Sequence, residues 1–585
     1  MRKRRIAAGI VSAAISTAGV VLVAPQTLAA GPASCPAAFP TAKAVDGVTG
    51  TGYTVERGTT PAPFSATVLG RITDGIAPGV DMIMAELSST AINKPGVGVW
   101  AGMSGSPVYA PDGRLIGSVS YGLASSSPIG GITPAAEMKK LLAAPVAAAQ
   151  PLGRAKVSVS ASVAKRLAAT GKVTAAQAAG GFERLVVPVT VSGLSGVSTG
   201  HAKAQLDAIG AMIPNSRVMS GGATSAAAGD TPADIIPGGN FVAAVSYGDA
   251  TLAGTGTTTF VCAGKAVAFG HPFLFTGAAA MSVHPATALF VQPDPVFGSF
   301  KVSNPGGVVG RLDSDRLAGI RGILGSAPAT TPIVSHVSVV GGGSRTGRTT
   351  LVDPRFAARV TFVHVLSNID RVVDAFGPGT ADSTITIKGT RPNGAAFTLV
   401  RRDRIGSAFD LSVEVGFRAA DLVDRIVNQP FEKVRLTSVT IDASVTPGQN
   451  QYRVTSVKVK QGAAFVTPKA SISAKAGGTI AVRLGLTSFQ AVGPAKTVDL
   501  VVPVPAGTAG GFGNLSIAAG PSFSESTATS FTQLLTELRS QPGDDLVRAT
   551  LTGSDAAGTE FSSATTATVD KPVESFGSDL SVDIS

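Results

Sequence analysis

Apolar residues along this chain fall in short runs that alternate with polar positions and stop at Gly, Pro, Asn or Asp. That rhythm predicts strands over residues 66–72, 81–87, 108–109 and 115–121, with Asp112-Gly113 as the hairpin turn between the last two. A short helix should follow Pro134, with Thr133 as N-cap and Met138, Leu141 and Leu142 on one face. Helices are expected near 161–169 and 202–209, then strands over 241–247, 256–262 and 266–269. Leu422, Val423, Ile426 and Val427 mark one amphipathic helix that Pro430 ends. Strands dominate again over 434–445, 452–460, 479–489, 497–504 and 514–518, followed by a helix at Ser530 where Gln533 completes a capping-box pattern. The expected fold class is mainly β.

A chain of 585 residues is too long for one core and suits two to four domains. We divide it into residues 1–30, 36–340, 345–433 and 434–585, taking Gly341-Gly342-Gly343-Ser344 as a boundary. That run lacks the Gly-Lys-Ser/Thr ending of a phosphate loop. The region 345–433 reads as β-rich α+β, and the even strand spacing after 434 suggests an immunoglobulin-like sandwich. Residues 1–30 look like an export signal: Arg2, Lys3, Arg4 and Arg5 precede an apolar run over 6–24, with small residues at Thr27-Leu28-Ala29. The Arg4–Arg5 pair leaves either the general or the twin-arginine route open. No later stretch reads as a membrane anchor, so the expected location is secreted or associated with the cell surface.

Charge narrows the function classes. The net charge of +11 loses the four cations of residues 1–30, leaving +7 on the mature chain. Basic blocks interleaved with aromatics are absent, which argues against nucleic-acid binding. A weakly basic exported protein is compatible with cell-wall association. His201, His271, His284, His336 and His364 are scattered, and with two cysteines they provide no metal-ligand spacing, so neither metal nor cofactor is expected. Cys35 and Cys262 could form one disulfide or remain as thiols.

The segment Gly102-Met103-Ser104-Gly105-Ser106-Pro107 carries the strongest chemical signal. A nucleophilic serine needs a tight turn and two N–H groups converging on the developing oxyanion. Gly102 permits the backbone dihedrals that aim such groups, and Gly105 leaves room for an acyl group. Among the histidines, His271 alone ends an apolar strand between Gly and Pro, and His284 is the fallback.

These residues resemble the trypsin-like serine peptidases, and among them the stage IV sporulation (SpoIVB) peptidase family, whose serine lies in Gly-Met-Ser-Gly-Ser-Pro. The resemblance continues through residues 114–122 and Gly130-Gly131-Ile132, and returns at Ala268-Phe269-Gly270-His271-Pro272-Phe273. It implies a trypsin-like β-barrel peptidase domain with α-helical insertions, in which Ser104 is the nucleophile and His271 the general base. The N–H groups of Gly102 and Ser104 would form the oxyanion hole. Two features depart from the family: the histidine follows the serine by 167 residues, and Ser88-Ser89-Thr90 stand where an Asp is expected. Asp81, leading its strand, is the candidate acid and Asp315 its rival. The expected activity is that of an exported serine endopeptidase acting on protein or peptide substrates. The alternative is a catalytically inactive secreted surface-binding protein.

Overall fold

The computed structural model describes residues 35–145, 156–194, 199–213, 215–224, 229–488, 495–521 and 526–585. The expected export signal lies outside the described residues. The first unit is built from β1 (Thr49–Thr54), β2 (Ala62–Ala77), β3 (Val80–Ser88), β4 (Pro107–Tyr109), β5 (Leu115–Gly122) and β6 (Ile129–Pro134). They pair antiparallel in the order β1-β2-β3-β6-β5-β4, and β4 pairs back onto β1, so the sheet closes into a six-stranded barrel with no free edge. Inward alternation, shifted by one residue between Ile116 and Val119 of β5, fills its interior with Phe64, Ala66, Val68, Ile83, Ala85, Leu87, Val108, Ile116 and Val119.

α1 (Ala135–Lys140) follows the barrel. Next come β7 (Lys156–Val157), α2 (Ala161–Ala169), α3 (Ala175–Gly180) and β8 (Phe182–Arg184), whose apolar residues cover the outer face of β3 and β5 through Met82, Met84, Tyr121 and Leu167. Ser160 and Thr174 cap α2 and α3 by accepting the N–H of Val163 and Gln177. β9 (Val187–Val191), α4 (Thr199–Met212) and β10 (Ser216–Ser220) make a parallel crossover at the edge of the second sheet.

The second barrel repeats the strand order of the first. β11 (Asn240–Gly248), β12 (Leu252–Cys262), β13 (Lys265–Ala268), β14 (Gly277–His284), β17 (Gly310–Arg316) and β18 (Gly319–Leu324) pair as β11-β12-β13-β18-β17-β14, with β14 returning to β11. Between β14 and β17 the chain throws out a hairpin, β15 (Ala286–Gln292) and β16 (Phe300–Pro305). This arm reaches back to the first barrel, where Gly58 bridges Ala288 and Ala101 bridges Phe300. Cys35 and Cys262 are joined in a disulfide that ties the start of the described chain to the end of β12.

The Gly341–Ser344 run is a correction to the expected boundary. It turns β19 (Thr331–Val339) into β20 (Ser344–Leu351), and β20 pairs directly with β11. A Gly-rich run is as well suited to a tight turn as to a linker, and here sheet pairing continues across it. The same sheet carries β21 (Gly379–Thr390), β22 (Ala396–Ser407) and β23 (Arg435–Pro447), backed by α5 (Ala357–Val373) and α6 (Leu411–Val427). α7 (Phe531–Ser540) also belongs here: Phe531 stacks edge-on against Phe397 of β22 at 5.0 Å between ring centroids. Its cap differs from the expected box, because Ser530 accepts from Gln533 N while the Gln533 side chain accepts from Thr529 rather than Ser530.

The remaining strands form a four-stranded and a five-stranded sheet that face one another across a single core, with Val482, Leu484 and Leu500 of one meeting Leu515, Ile517 and Leu551 of the other. Among the described residues no helix is long and apolar enough to cross a membrane.

Candidate active site

Ser104 sits in the turn that enters β4. Met103 plugs the turn into the first barrel's core, buried beside Trp100 and Val108, and its N–H donates to Trp100 O. Ser106 Oγ donates to Met103 O at 2.6 Å, which closes the turn on itself. Gly102 and Gly105 adopt φ of +93° and +96°, conformations that side-chain-bearing residues rarely hold. The N–H groups of Met103, Gly105 and Ser106 all donate to backbone carbonyls, whereas those of Gly102 and Ser104 have no acceptor among the described residues.

The second barrel clamps this turn from the other side. Ser104 O accepts Thr257 N at 2.8 Å, and Thr257 O accepts Phe269 N at 3.2 Å. The hydroxyls of Thr257 and Thr259 donate to the carbonyls of Gly102 and Gly105 at 3.0 and 2.7 Å. A methyl group on Gly105 would lie 1.9 Å from Thr257 O and 2.5 Å from Phe269 N, so only glycine permits this approach.

His271 arrives at the same place from the end of β13. Phe269 and Gly270 both have φ of +69°, and a bulky aromatic in the left-handed region is strained backbone. What holds it is a socket in the first barrel: Gly270 packs on Ser118 and Ser120, and Thr133 Oγ1 donates to Gly270 O at 2.7 Å. The Phe269 ring is wedged between Phe241 and Phe273 and leans on the imidazole.

The imidazole is fully buried. Its Nδ1 lies 2.8 Å from Pro272 O, a pure acceptor, so Nδ1 carries the proton and Nε2 presents a free lone pair. Burial lowers the His271 pKa to about 4, the Pro272 carbonyl opposes that shift, and nearby Arg184 adds to it. The ring is therefore neutral at pH 7. Its Nε2 has no hydrogen-bond partner, and neither does Ser104 Oγ, although both are buried. A buried polar atom without a partner costs about 1–3 kcal/mol. The two atoms are not bonded to each other, and they stand on turns joined through Thr257, whose N–H donates to Ser104 O and whose carbonyl accepts Phe269 N–H.

The expected acid needs correcting. Asp81 lies at the β2–β3 turn, where it accepts Arg71 Nη1 at 2.8 Å and Asp74 N at 3.1 Å. A strand-leading Asp beside a tight turn finds local donors first, and Asp81 is spent on the hairpin. Asp315, at the end of β17, is buried and accepts the N–H groups of Phe273, Leu274 and Phe275 at 2.5–2.9 Å. It grips the backbone that leaves His271 instead of the ring. Burial raises its carboxyl to about 6 against the pull of those three amides. His284 is not placed to act, since both ring nitrogens are engaged, with Ser282 Oγ at 2.7 Å and Gly306 O at 2.9 Å.

Two groups here gave no signal in the sequence. Lys301 on β16 is fully buried with its Nζ 2.9 Å from Asn240 Oδ1. Its N–H donates to Ala101 O and its stem lies against Gly102, bracing the turn ahead of Ser104. Burial pushes its ammonium down to about 7 against the attraction of Glu56. Arg184 on β8 lies opposite Tyr121 of β5, and Arg184 Nε and Tyr121 Oη are buried without partners. Both lie in stretches whose composition suggests only strand or loop.

Comparison with family models, curated proteins and solved structures finds no match to this chain. Among the described residues no cluster of His, Cys, Asp and Glu could hold a metal. The geometry itself therefore carries the functional argument. One neutral imidazole, one hydroxyl and two unengaged amides lie on neighbouring turns of two docked barrels.

Proposed function

We propose that the protein is a serine endopeptidase of the trypsin-like type, its two six-stranded barrels supplying the nucleophile and the base separately. His271 Nε2 takes the proton from Ser104 Oγ, which attacks the peptide carbonyl carbon. The N–H groups of Gly102 and Ser104 receive the developing oxyanion. His271 then returns the proton to the leaving amine, and water hydrolyses the acyl-enzyme by the reverse sequence. Pro272 O does for the imidazole what a triad carboxylate does for tautomer, without its charge, and Asp315 holds the loop from behind. The serine-first order is no obstacle, because such a constellation depends on spatial arrangement and not on chain order.

The observation that carries this reading is the pair of buried, unpartnered atoms, Ser104 Oγ and His271 Nε2, on turns locked together through Thr257. Ser104 is only 1% exposed, so groups covering it must move to admit a substrate. That closure favours a second reading, a catalytically inactive secreted protein whose sandwich, read as immunoglobulin-like, presents loops to a cell-wall polymer or a protein. Labelling with a peptidyl phosphonate separates the two. Wild type should label and Ser104→Ala should not. Absence of labelling by folded wild type, together with no cleavage of broad peptide libraries, overturns the enzyme reading.

A further inference from the structure

A cavity of about 360 Å³ opens beside the Ser104 turn, walled by Ala101, Leu123, Gln177, Arg184 and Leu185, with the exposed Phe297 of the β15–β16 arm at its edge. Ala101 immediately precedes Gly102, so the cavity meets the chain where the oxyanion-hole turn begins. Its charges are unequal in their commitments. Glu183 and Lys156 pair with each other at 3.3 Å on the exposed rim. Among the described residues Arg184 has no carboxylate within ion-pair distance, and its buried Nε has no hydrogen-bond partner. Among the described residues the wall thus offers a cation that lacks an anion, next to the turn where a substrate's carbonyl would lie.

We propose that this cavity is a specificity pocket for an acidic side chain, with Arg184 pairing the carboxylate of a substrate Asp or Glu adjacent to the bond that Ser104 attacks. The inference rests on the peptidase reading. An Arg guanidinium is suited to this task because its planar donors match a carboxylate's two oxygens. Leu123 and Leu185 on the same wall are buried, and an apolar surrounding strengthens such a pair.

The test uses purified full-length chain and matched peptides that differ only as Glu or Gln at the residue preceding the cleaved bond. Wild type should favour Glu in kcat/KM by about tenfold or more, the scale of one charge-assisted hydrogen bond. Arg184→Gln should abolish that ratio, and Arg184→Lys should retain part of it. A wild-type ratio near one, or an undiminished ratio in Arg184→Gln, overturns the pocket and leaves the peptidase reading standing. Binding to Ser104→Ala, measured by calorimetry with peptides ending in Glu or Gln, needs no turnover. Glu-selective binding that Arg184→Gln removes supports the pocket even if wild type never labels. Equal binding of both peptides to Ser104→Ala counts against it.

Discussion

At the scale of single residues, His271 sets the pH behaviour. In the proposed mechanism its neutral form is the base, and burial holds its pKa near 4, well below the ordinary 6.5. Turnover should therefore rise with pH through an acidic limb near 4 and stay flat across 6.5, as kcat/KM measured from pH 3.5 to 8 will show. The stability consequence follows from the same shift. Between pH 6.5 and 4 the unfolded chain binds a proton at this position and the folded chain does not, so folding weakens as pH falls. His271→Gln should remove up to about 3 kcal/mol of that acid sensitivity, visible in melting curves at pH 7 and pH 4.5. Asp315 works in the opposite sense, its raised pKa weakening folding as pH climbs through about 6. Asp315→Ala strands three buried N–H groups and should cost several kcal/mol, on the scale of about 1–3 for each. Asp315→Asn keeps an acceptor oxygen and should fold better while turning over slowly. Of these residues Ser104 was plain in the sequence, because the chemistry of a tight Gly-flanked turn is local. Asp81 misled for the same reason, since local donors satisfy it before any distant imidazole can.

At the scale of elements, the two turns depend on glycines for different reasons. Gly105→Ala adds a methyl into Thr257 O and Phe269 N as well as forcing a φ of +96°. It should cost about 4 kcal/mol or more and abolish phosphonate labelling, because the barrels can no longer close on each other at Ser104. Gly113→Ala, at the β4–β5 hairpin, meets nothing within 4 Å and pays only for its φ of +80°. Chemical denaturation should place that cost at about 1–2 kcal/mol, with labelling intact. Strands buried on both faces were legible as short apolar runs between turn residues: the predicted 108–109, 115–121 and 241–247 coincide with β4, β5 and β11 to within a residue or two. Helix α5 was not, although it is as long as α6. Eleven of its seventeen residues are buried, His364, Ser367 and Asn368 among them, so no polar face repeats at the helical period. The α6 helix keeps such a face and was readable from Leu422, Val423 and Ile426.

At the scale of the whole molecule, two long-range ties hold the parts in register. The Cys35–Cys262 disulfide spans 227 residues and anchors the chain ahead of the first barrel to the second. Cys35→Ser with Cys262→Ser should lower stability by about 2–5 kcal/mol in denaturant titrations. A buried charge cluster links α6 to the sandwich. Arg418 Nη2 donates to Asp544 Oδ1 at 2.7 Å and lies 3.8 Å from Asp403, while Asp544 Oδ2 accepts Gly406 N. Arg418→Ala leaves buried Asp544 short of its counter-charge, while Asp403 keeps Arg401 at 2.9 Å, a loss of about 3–5 kcal/mol. Calorimetry should then show the sandwich melting apart from the barrels.

Short-range information was enough for the β-rich class, the Gly-flanked turn at Ser104 and many of the strands, because alternation, turn chemistry and caps act within a few residues. Which turn of one barrel packs against which turn of the other could not be read that way. The approach of the two turns depends on Gly270 entering a socket of Ser118, Ser120 and Thr133, and on Thr257 bridging Ser104 to Phe269. These are contacts between separately closed barrels, and only their docking brings the turns together.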